Sequence, residues 1–179
     1  METKNDIAEK RKRQKSFIGK IIDRPVNFFV KHHINSNALS YMGLFIIILA
    51  TVALSSGFTY EHPLLGMIAP ILIIIGGLFD IFDGEVARRS NSDGPSGAFL
   101  DSVLDRIADA VLILGLMLGG FLDYIFGFVL LFLFIMISYS RARAENFGVE
   151  MRGVGIMERA DRILFLAGAL ITETWLHPT

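Results

Sequence analysis

Residues 80–105 read D-I-F-D-G-E-V-A-R-R-S-N-S-D-G-P-S-G-A-F-L-D-S-V-L-D. Asp80, Asp83, Asp101 and Asp105 follow one long apolar run and precede another, in two clusters joined by a short polar loop. On a helix, Asp80, Asp83, Gly84, Ala87 and Arg88 fall on one face, and Gly97, Asp101 and Asp105, at steps of four, fall on another. Packed together, the two faces aim their carboxylates at a single small volume. Such a cluster repels itself unless cations neutralise it, and an all-oxygen ligand set suits a hard ion such as Mg2+ or Mn2+ rather than zinc. Asp80, Asp83, Asp101 and Asp105 are therefore candidate metal ligands.

Outward from this stretch the chain is strongly apolar. Of its 179 residues 53% are hydrophobic and the mean hydropathy is +0.52, too high for an ordinary soluble domain, so a membrane protein is expected. There is no cysteine, which excludes a disulfide framework and thiolate chemistry. The net charge of -1 hides an uneven distribution, because the first 31 residues carry nine of the seventeen Lys and Arg. No short charged segment with an apolar core and cleavage site follows them, so a removed signal peptide is not expected.

The segments divide as follows. Residues 1–34 are expected to form a polar tail, with a basic cluster Lys10 to Lys15 suited to anionic headgroups, and an amphipathic interfacial helix over 16–33 kinked or divided at Pro25. Residues 35–179 are expected to form the transmembrane domain. Residues 38–58 carry no charge and are long enough to span. Further spans are expected over 62–79, continuing as helix to about Arg89, over 97–118, over 124–140 and over 163–176. Gly76 and Gly77 permit close helix approach. With five spans and the N-terminus inside, all seventeen Lys and Arg lie at the cytoplasmic face and the outer connections carry only Glu61, Asp123 and Glu173 as charges, in keeping with the positive-inside rule. The expected fold is thus an all-α polytopic helical bundle in the cell membrane, with the N-terminus and the acids cytoplasmic and membrane lipids around it.

The spacing D-x2-D-G-x2-A-R-x8-G-x3-D-x3-D is matched at Asp80, Asp83, Gly84, Ala87, Arg88, Gly97, Asp101 and Asp105. It resembles the signature of the CDP-alcohol phosphotransferases, integral membrane enzymes that make phospholipid headgroups. The resemblance implies a CDP-linked lipid (CDP-diacylglycerol or CDP-archaeol) as donor, two Mg2+ or Mn2+ ions on the four acids, CMP as leaving group, and Asp105 as general base as well as ligand. It implies a CDP-lipid site of Asn37, Asp80, Gly84, Ala87, Arg88 and Gly97. Asn35, Ser36 and Asn37 with Ser40 resemble the family's Asn motif ahead of the first span, although a plain helix cap explains them equally well. Members usually have six spans and form homodimers. Five are visible here, either because the sequence is a fragment or because the last helix is dispensable.

Ionisable residues inside membrane helices are costly, so the acids are read as functional rather than as ion pairs that only hold helices together. Small Gly84 and Ala87 leave room for a nucleotide, and Arg88 suits bidentate contact with phosphate. Asp109, one turn beyond Asp105, reads as a partner for an arginine or a hydroxyl rather than as a fifth ligand, Glu85 as an interfacial residue, and His32, His33, His62 and His177 as surface residues. Arg141, Arg143, Arg152, Arg159 and Arg162 cluster on the side of the acids, which topogenic charge explains about as well as function does. The runs S-Y-S-R-A-R-A-E from Ser138 and G-I-M-E-R-A-D-R from Gly155 resemble the phosphatidylinositol-phosphate synthases and their archaeal ether-lipid counterparts. That resemblance implies inositol phosphate as the acceptor, with Arg141, Arg143, Arg159 and Arg162 as its binding residues. Glycerol phosphate, serine or another polyol are rival acceptors, a cation or proton transporter is the rival of another class, and no nucleic-acid partner is expected. Gly84, Ala87 and Arg88 argue against transport, which needs the acids but no adjacent phosphate-binding arginine.

Overall fold

The structure, a computed structural model, describes residues 22–56, 63–149 and 159–176, and it is helical throughout apart from turns. The basic tail, the first half of the amphipathic segment, the turn near Pro63, Arg152, His62 and His177 lie outside the described residues. The helices are α1 over 22–31, α2 Ser36–Ser55, the one-turn α3 Pro63–Gly66, α4 Ile68–Arg89, α5 Pro95–Leu118, α6 Tyr124–Asn146 and α7 Arg159–Leu176. Helix is continuous through Pro25, so no division occurs there within 22–31. The span expected from His62 is interrupted at Met67, with α4 beginning at Ile68.

Local sequence sets the helix ends. Asn35 caps α2, its side chain accepting from the Asn37 amide at 2.9 Å, and Asp123 caps α6 by accepting from the Ile125 amide at 2.8 Å. Pro95 opens α5, where its missing N–H has no helical partner to lose. α1, α4, α5 and α6 all stop with a residue in the left-handed region, His33, Asn91, Gly120 and Gly148 respectively. In each, the next amide turns back onto the last helical turn: Ile34 to Phe29, Ser92 to Ala87, Phe121 to Leu116 and Val149 to Ala144. The cap at Asn91 matters most, because it reverses the chain between the two acidic helices.

α2 is the spine of the bundle. It makes the most extensive contacts, with α4 on one side and α5 on the other, while α7 packs mainly on α4 and α6 mainly on α5. The two acidic faces are therefore not packed directly on each other, as the sequence reading has them; each leans on α2 and a cleft stays open between them. Small residues make the approach possible. A Cβ on Gly76 would stand 2.7 Å from Ile47 Cδ1, and one on Gly115 would stand 2.9 Å from Thr51 Cγ2 and 3.0 Å from Thr51 Cα. The Thr51 hydroxyl also donates to the Val111 carbonyl at 3.1 Å. The core of Ile47, Leu54, Ile73, Leu112, Ile163 and Leu170 fills the seams.

Large apolar side chains cover much of the outside of the described helices as well. Helices α2 and α6 are each long and apolar enough to cross a membrane by length and composition, and on α6 only Gly127 is buried. Phe126, Phe128, Phe132, Ile135 and Tyr139 face outward on α6. Water does not tolerate so large an exposed apolar patch on a monomer, whereas lipid does.

Gly115→Val should separate α2 from α5 and lower stability by about 1–3 kcal/mol, the cost of overpacking a seam whose far wall is backbone. Gly168→Ala, where a Cβ meets nothing within 4 Å, should leave the detergent melting temperature unchanged or slightly raised. Melting curves of the two purified variants measure the difference, and equal midpoints would remove the seam argument.

Candidate active site

α4 carries Asp80 and Asp83 to one wall of the cleft, and α5 carries Asp101, Asp105 and Asp109 to the other. One carboxylate oxygen from each of Asp80, Asp101 and Asp105 lies within 4.8 Å of the others. Opposite ligands of a single hard cation stand about 4–5 Å apart, so this trio has the spread to share one ion. Asp83 is buried beside Ser40 of α2, and its Oδ2 is buried without a hydrogen-bond partner. An orphaned carboxylate oxygen next to three converging ones is what a cation ligand looks like before the cation arrives, and the donor set fits Mg2+ or Mn2+.

A guanidinium occupies the middle of the cluster. Arg159, at the first turn of α7, donates to Asp80 Oδ1, lies 2.6 Å from Asp105 Oδ1, and reaches Asp109 Oδ1 from its Nε at 3.6 Å. Arg162, one turn on, is 3.7 Å from Asp109 Oδ2 and stacks over Phe134 of α6 at 4.3 Å. Arg106 is 3.8 Å from Asp105 and donates to the Ser102 carbonyl and, at 2.9 Å, to the Ser102 hydroxyl. Asp109 is thus an arginine partner, as its sequence position suggests. Five carboxylates meet three guanidiniums here, so the acids outnumber the arginines that can pair with them. With Arg159 inserted the cavity holds ≈ 20 Å³, the space of one water-sized occupant.

The remaining candidates divide by place. Gly97 stands beside Asn37, whose Oδ1 would be 3.9 Å from a Cβ at 97, so Asn37 and Gly97 share the rim. Gly84 lies under the Arg88 guanidinium, 3.6 Å from Nη1 by the same measure, with half-buried Ala87 a turn away. Arg159 and Arg162 reach the acids. Arg143 instead stacks over Phe147 at 4.7 Å, and Arg141 sits half-buried on α6. Sequence reasoning missed two things. Arg159 is the counter-ion of Asp80 and Asp105, a pairing across 79 positions that no local pattern signals. Glu85 is an ion-pair hub for Arg88 and Arg89, for which the i,i+3 and i,i+4 spacing was a readable signal.

A bundle with an apolar exterior and an acidic, arginine-lined cleft at one end is a helical membrane protein built around a charged-ligand site. Comparison with known proteins gives the family: the CDP-alcohol phosphatidyltransferase family model matches residues 33–177, and the chain belongs to that family. It is 38% identical over 130 residues to the archaetidylinositol phosphate synthase of Methanothermobacter thermautotrophicus, covering 73% of this chain and 65% of that one. The match to the protein of the same name from Pyrococcus horikoshii is 37% identical, over 74% of this chain and 67% of the relative. The chain thus spans about two thirds of the length of these archaeal relatives. Its fold is similar to the crystal structure of Mycobacterium tuberculosis phosphatidylinositol phosphate synthase with CDP-DAG bound, with a TM-score of 0.68 at 22% identity over 88% of this chain and 86% of that one.

Arg159→Gln should leave Asp80, Asp105 and Asp109 short of a partner and destabilise the protein by about 1–3 kcal/mol in metal-free buffer. Added Mn2+ should recover most of that loss in the variant and raise the wild type less, since the guanidinium already neutralises the cluster. Melting temperatures with EDTA and with Mn2+ check this; equal metal-induced shifts in both proteins would sink it.

Proposed function

We propose that the chain is a transferase that moves the phospholipid group of a CDP-linked lipid, CDP-diacylglycerol or CDP-archaeol, to inositol phosphate with release of CMP. The observation that carries the reading is the convergence of Asp80, Asp101 and Asp105 on one cleft that arginines enter from α7. Family membership and the names of the archaeal relatives support it.

The parts fall into place around that cleft. Asp80, Asp83, Asp101 and Asp105 would hold two Mg2+ or Mn2+ ions, which when bound neutralise the donor's diphosphate and the charge of the leaving CMP. Arg88 grips phosphate oxygens over Gly84 and Ala87, where no larger side chain stands in the way, and Asn37 and Gly97 form the nucleotide rim. The lipid chains have an apolar cleft of ≈ 270 Å³ lined by Ile22, Ile74, Leu78, Ile81 and Leu164, which shares Asp80, Gly77 and Ile163 with the acidic cleft. A donor lying across that boundary keeps its tails in lipid and its diphosphate at the acids.

On the acceptor side, Arg159 and Arg162 hold the phosphate of inositol phosphate, a dianion that displaces them from Asp80, Asp105 and Asp109. The buried Nε and Nη1 of Arg162 have no partner among the described residues and offer donors for it. Arg141 and Arg143 belong to the outer approach. Asp105 takes the proton of the acceptor hydroxyl at a carboxylate oxygen, the freed oxygen attacks the phosphorus that bears the lipid, and CMP leaves with the electrons of the broken P–O bond. In this reading the protein is a multi-pass homodimer with five spans in this chain, an interfacial N-terminal helix, and the acids facing the cytoplasm.

Asp80→Asn, Asp83→Asn, Asp101→Asn and Asp105→Asn should each cut CMP release by roughly a hundredfold or more while the protein stays folded in detergent. EDTA should abolish activity and Mg2+ or Mn2+ restore it; near-normal rates in any two variants, or restoration by zinc alone, would overturn the metal assignment. Arg162→Gln should raise the inositol phosphate KM about ten- to hundredfold, the scale of one charge-assisted contact, and leave the CDP-lipid KM nearly unchanged. An acceptor panel with the product identified by mass decides between inositol phosphate and the other polyols.

A further inference from the structure

Glu85 and Arg89 belong to neither the acidic cleft nor the apolar core, yet they sit in the densest ion-pair network of the described surface. Arg88 donates to Glu85 Oε2 from Nε at 3.1 Å and from Nη2 at 2.7 Å. The other oxygen, Oε1, accepts from Arg89 Nε at 2.9 Å. Arg89 then crosses to α1, donating to Asn27 Oδ1 at 2.7 Å and Asp23 Oδ1 at 2.5 Å. Both Glu85 oxygens and all three kinds of Arg89 nitrogen are engaged, so neither side chain can turn without breaking several bonds at once.

The far end of this chain of contacts is firmly seated. Val26 of α1 is fully buried against Leu39 of α2 and Val86 of α4, and Phe29 packs on Phe79 and Phe82. Val86 lies directly between Glu85 and Ala87, so the docking of α1 fixes the same turn of α4 that presents Arg88. The near end is loose: the Arg88 side chain is 64% exposed, and a long arginine in water samples many rotamers unless something holds it. Gripped through Nε and Nη2, it has Nη1 lying over Gly84.

We propose that Glu85 is a positioning residue for Arg88, and that Arg89, anchored on Asp23 and Asn27, keeps Glu85 in place, so that the docking of α1 sets the affinity for the nucleotide diphosphate. The inference rests on the reading of Arg88 as a phosphate-binding residue. Glu85 touches no reacting atom. It removes rotamer freedom that Arg88 would otherwise lose on binding, and a group ordered in advance binds more tightly than one ordered by its ligand. A carboxylate so close also competes with phosphate for the guanidinium. Arg89 offsets this by drawing charge from Oε1, which leaves the pair strong enough to orient Arg88 and weak enough to yield it.

The test uses the purified full chain in detergent, with CMP titrated as the probe and KM and kcat measured for the CDP-lipid. Glu85→Ala should raise the CMP Kd and the CDP-lipid KM about three- to fivefold, the scale of one exposed ion pair, with kcat and the acceptor KM unchanged. Arg89→Gln and Asn27→Ala should move the same two constants in the same direction by less, and Glu85→Gln, which keeps an acceptor oxygen, should recover part of the loss. In an Arg88→Gln background the Glu85→Ala change should add nothing, because its effect passes through Arg88. Unchanged or tighter CMP binding in Glu85→Ala, where Arg88→Gln alone weakens it, overturns the positioning role. A full Glu85→Ala effect in the Arg88→Gln background overturns it too. If Arg88→Gln leaves CMP binding untouched, the phosphate-binding reading of Arg88 falls, and this inference falls with it.

Discussion

Everything in this molecule hangs on the contacts that α2 makes on its two sides. Gly43 and Ile47 meet Gly76 and Phe79 of α4, and Thr51 meets Gly115 of α5. Between helices surrounded by lipid there is no hydrophobic drive to associate, so small residues, close backbones and the hydrogen bond from Thr51 to Val111 supply the attraction. Because α4 and α5 are each held to α2 and only weakly to each other, a gap opens between them at the level of the acids. Had the acidic helices packed on each other, their carboxylates would have been pressed together with no space for a ligand.

The gap brings an electrostatic problem that a distant helix resolves. Asp80, Asp83, Asp101, Asp105 and Asp109 cannot all stay ionised in a confined cleft without positive charge close by. Arg159 and Arg162 enter from α7 and pair with Asp80, Asp105 and Asp109. They leave Asp83 Oδ2 without a partner and the cluster short of full neutralisation. That incompleteness leaves carboxylate oxygens available to a divalent cation. A cluster fully neutralised by the protein itself would offer a cation much less.

The last turns of α4 are organised by different forces from the floor of the cleft. At the floor, charges are buried and close. Further along α4, Arg88, Glu85 and Arg89 are partly exposed, where one ion pair contributes little, and order comes from linking several of them to an apolar anchor in α1. The left-handed Asn91 completes the rim by turning the chain sharply after Arg89, so that Gly97 arrives beside Asn37.

Much of this was written in the chain locally. The steps between Asp80, Asp83, Gly84, Ala87 and Arg88, and between Gly97, Asp101 and Asp105, determined which side chains share a helix face, because helix periodicity converts spacing into direction without tertiary help. Uncharged runs of bilayer length marked α2 and α6, and the cap at Asn35 marked the start of α2. What the sequence could not determine is which distant groups meet. The insertion of Arg159 between Asp80 and Asp105, the tie of Arg89 to Asp23 and Asn27, the stacking of Arg162 on Phe134 and of Arg143 on Phe147 separate arginines that look alike in composition. Those partners are decided by the crossings of α2, α4, α5 and α7, which depend on how small residues fit across each seam, and a charge finds its counter-ion only after those crossings are made.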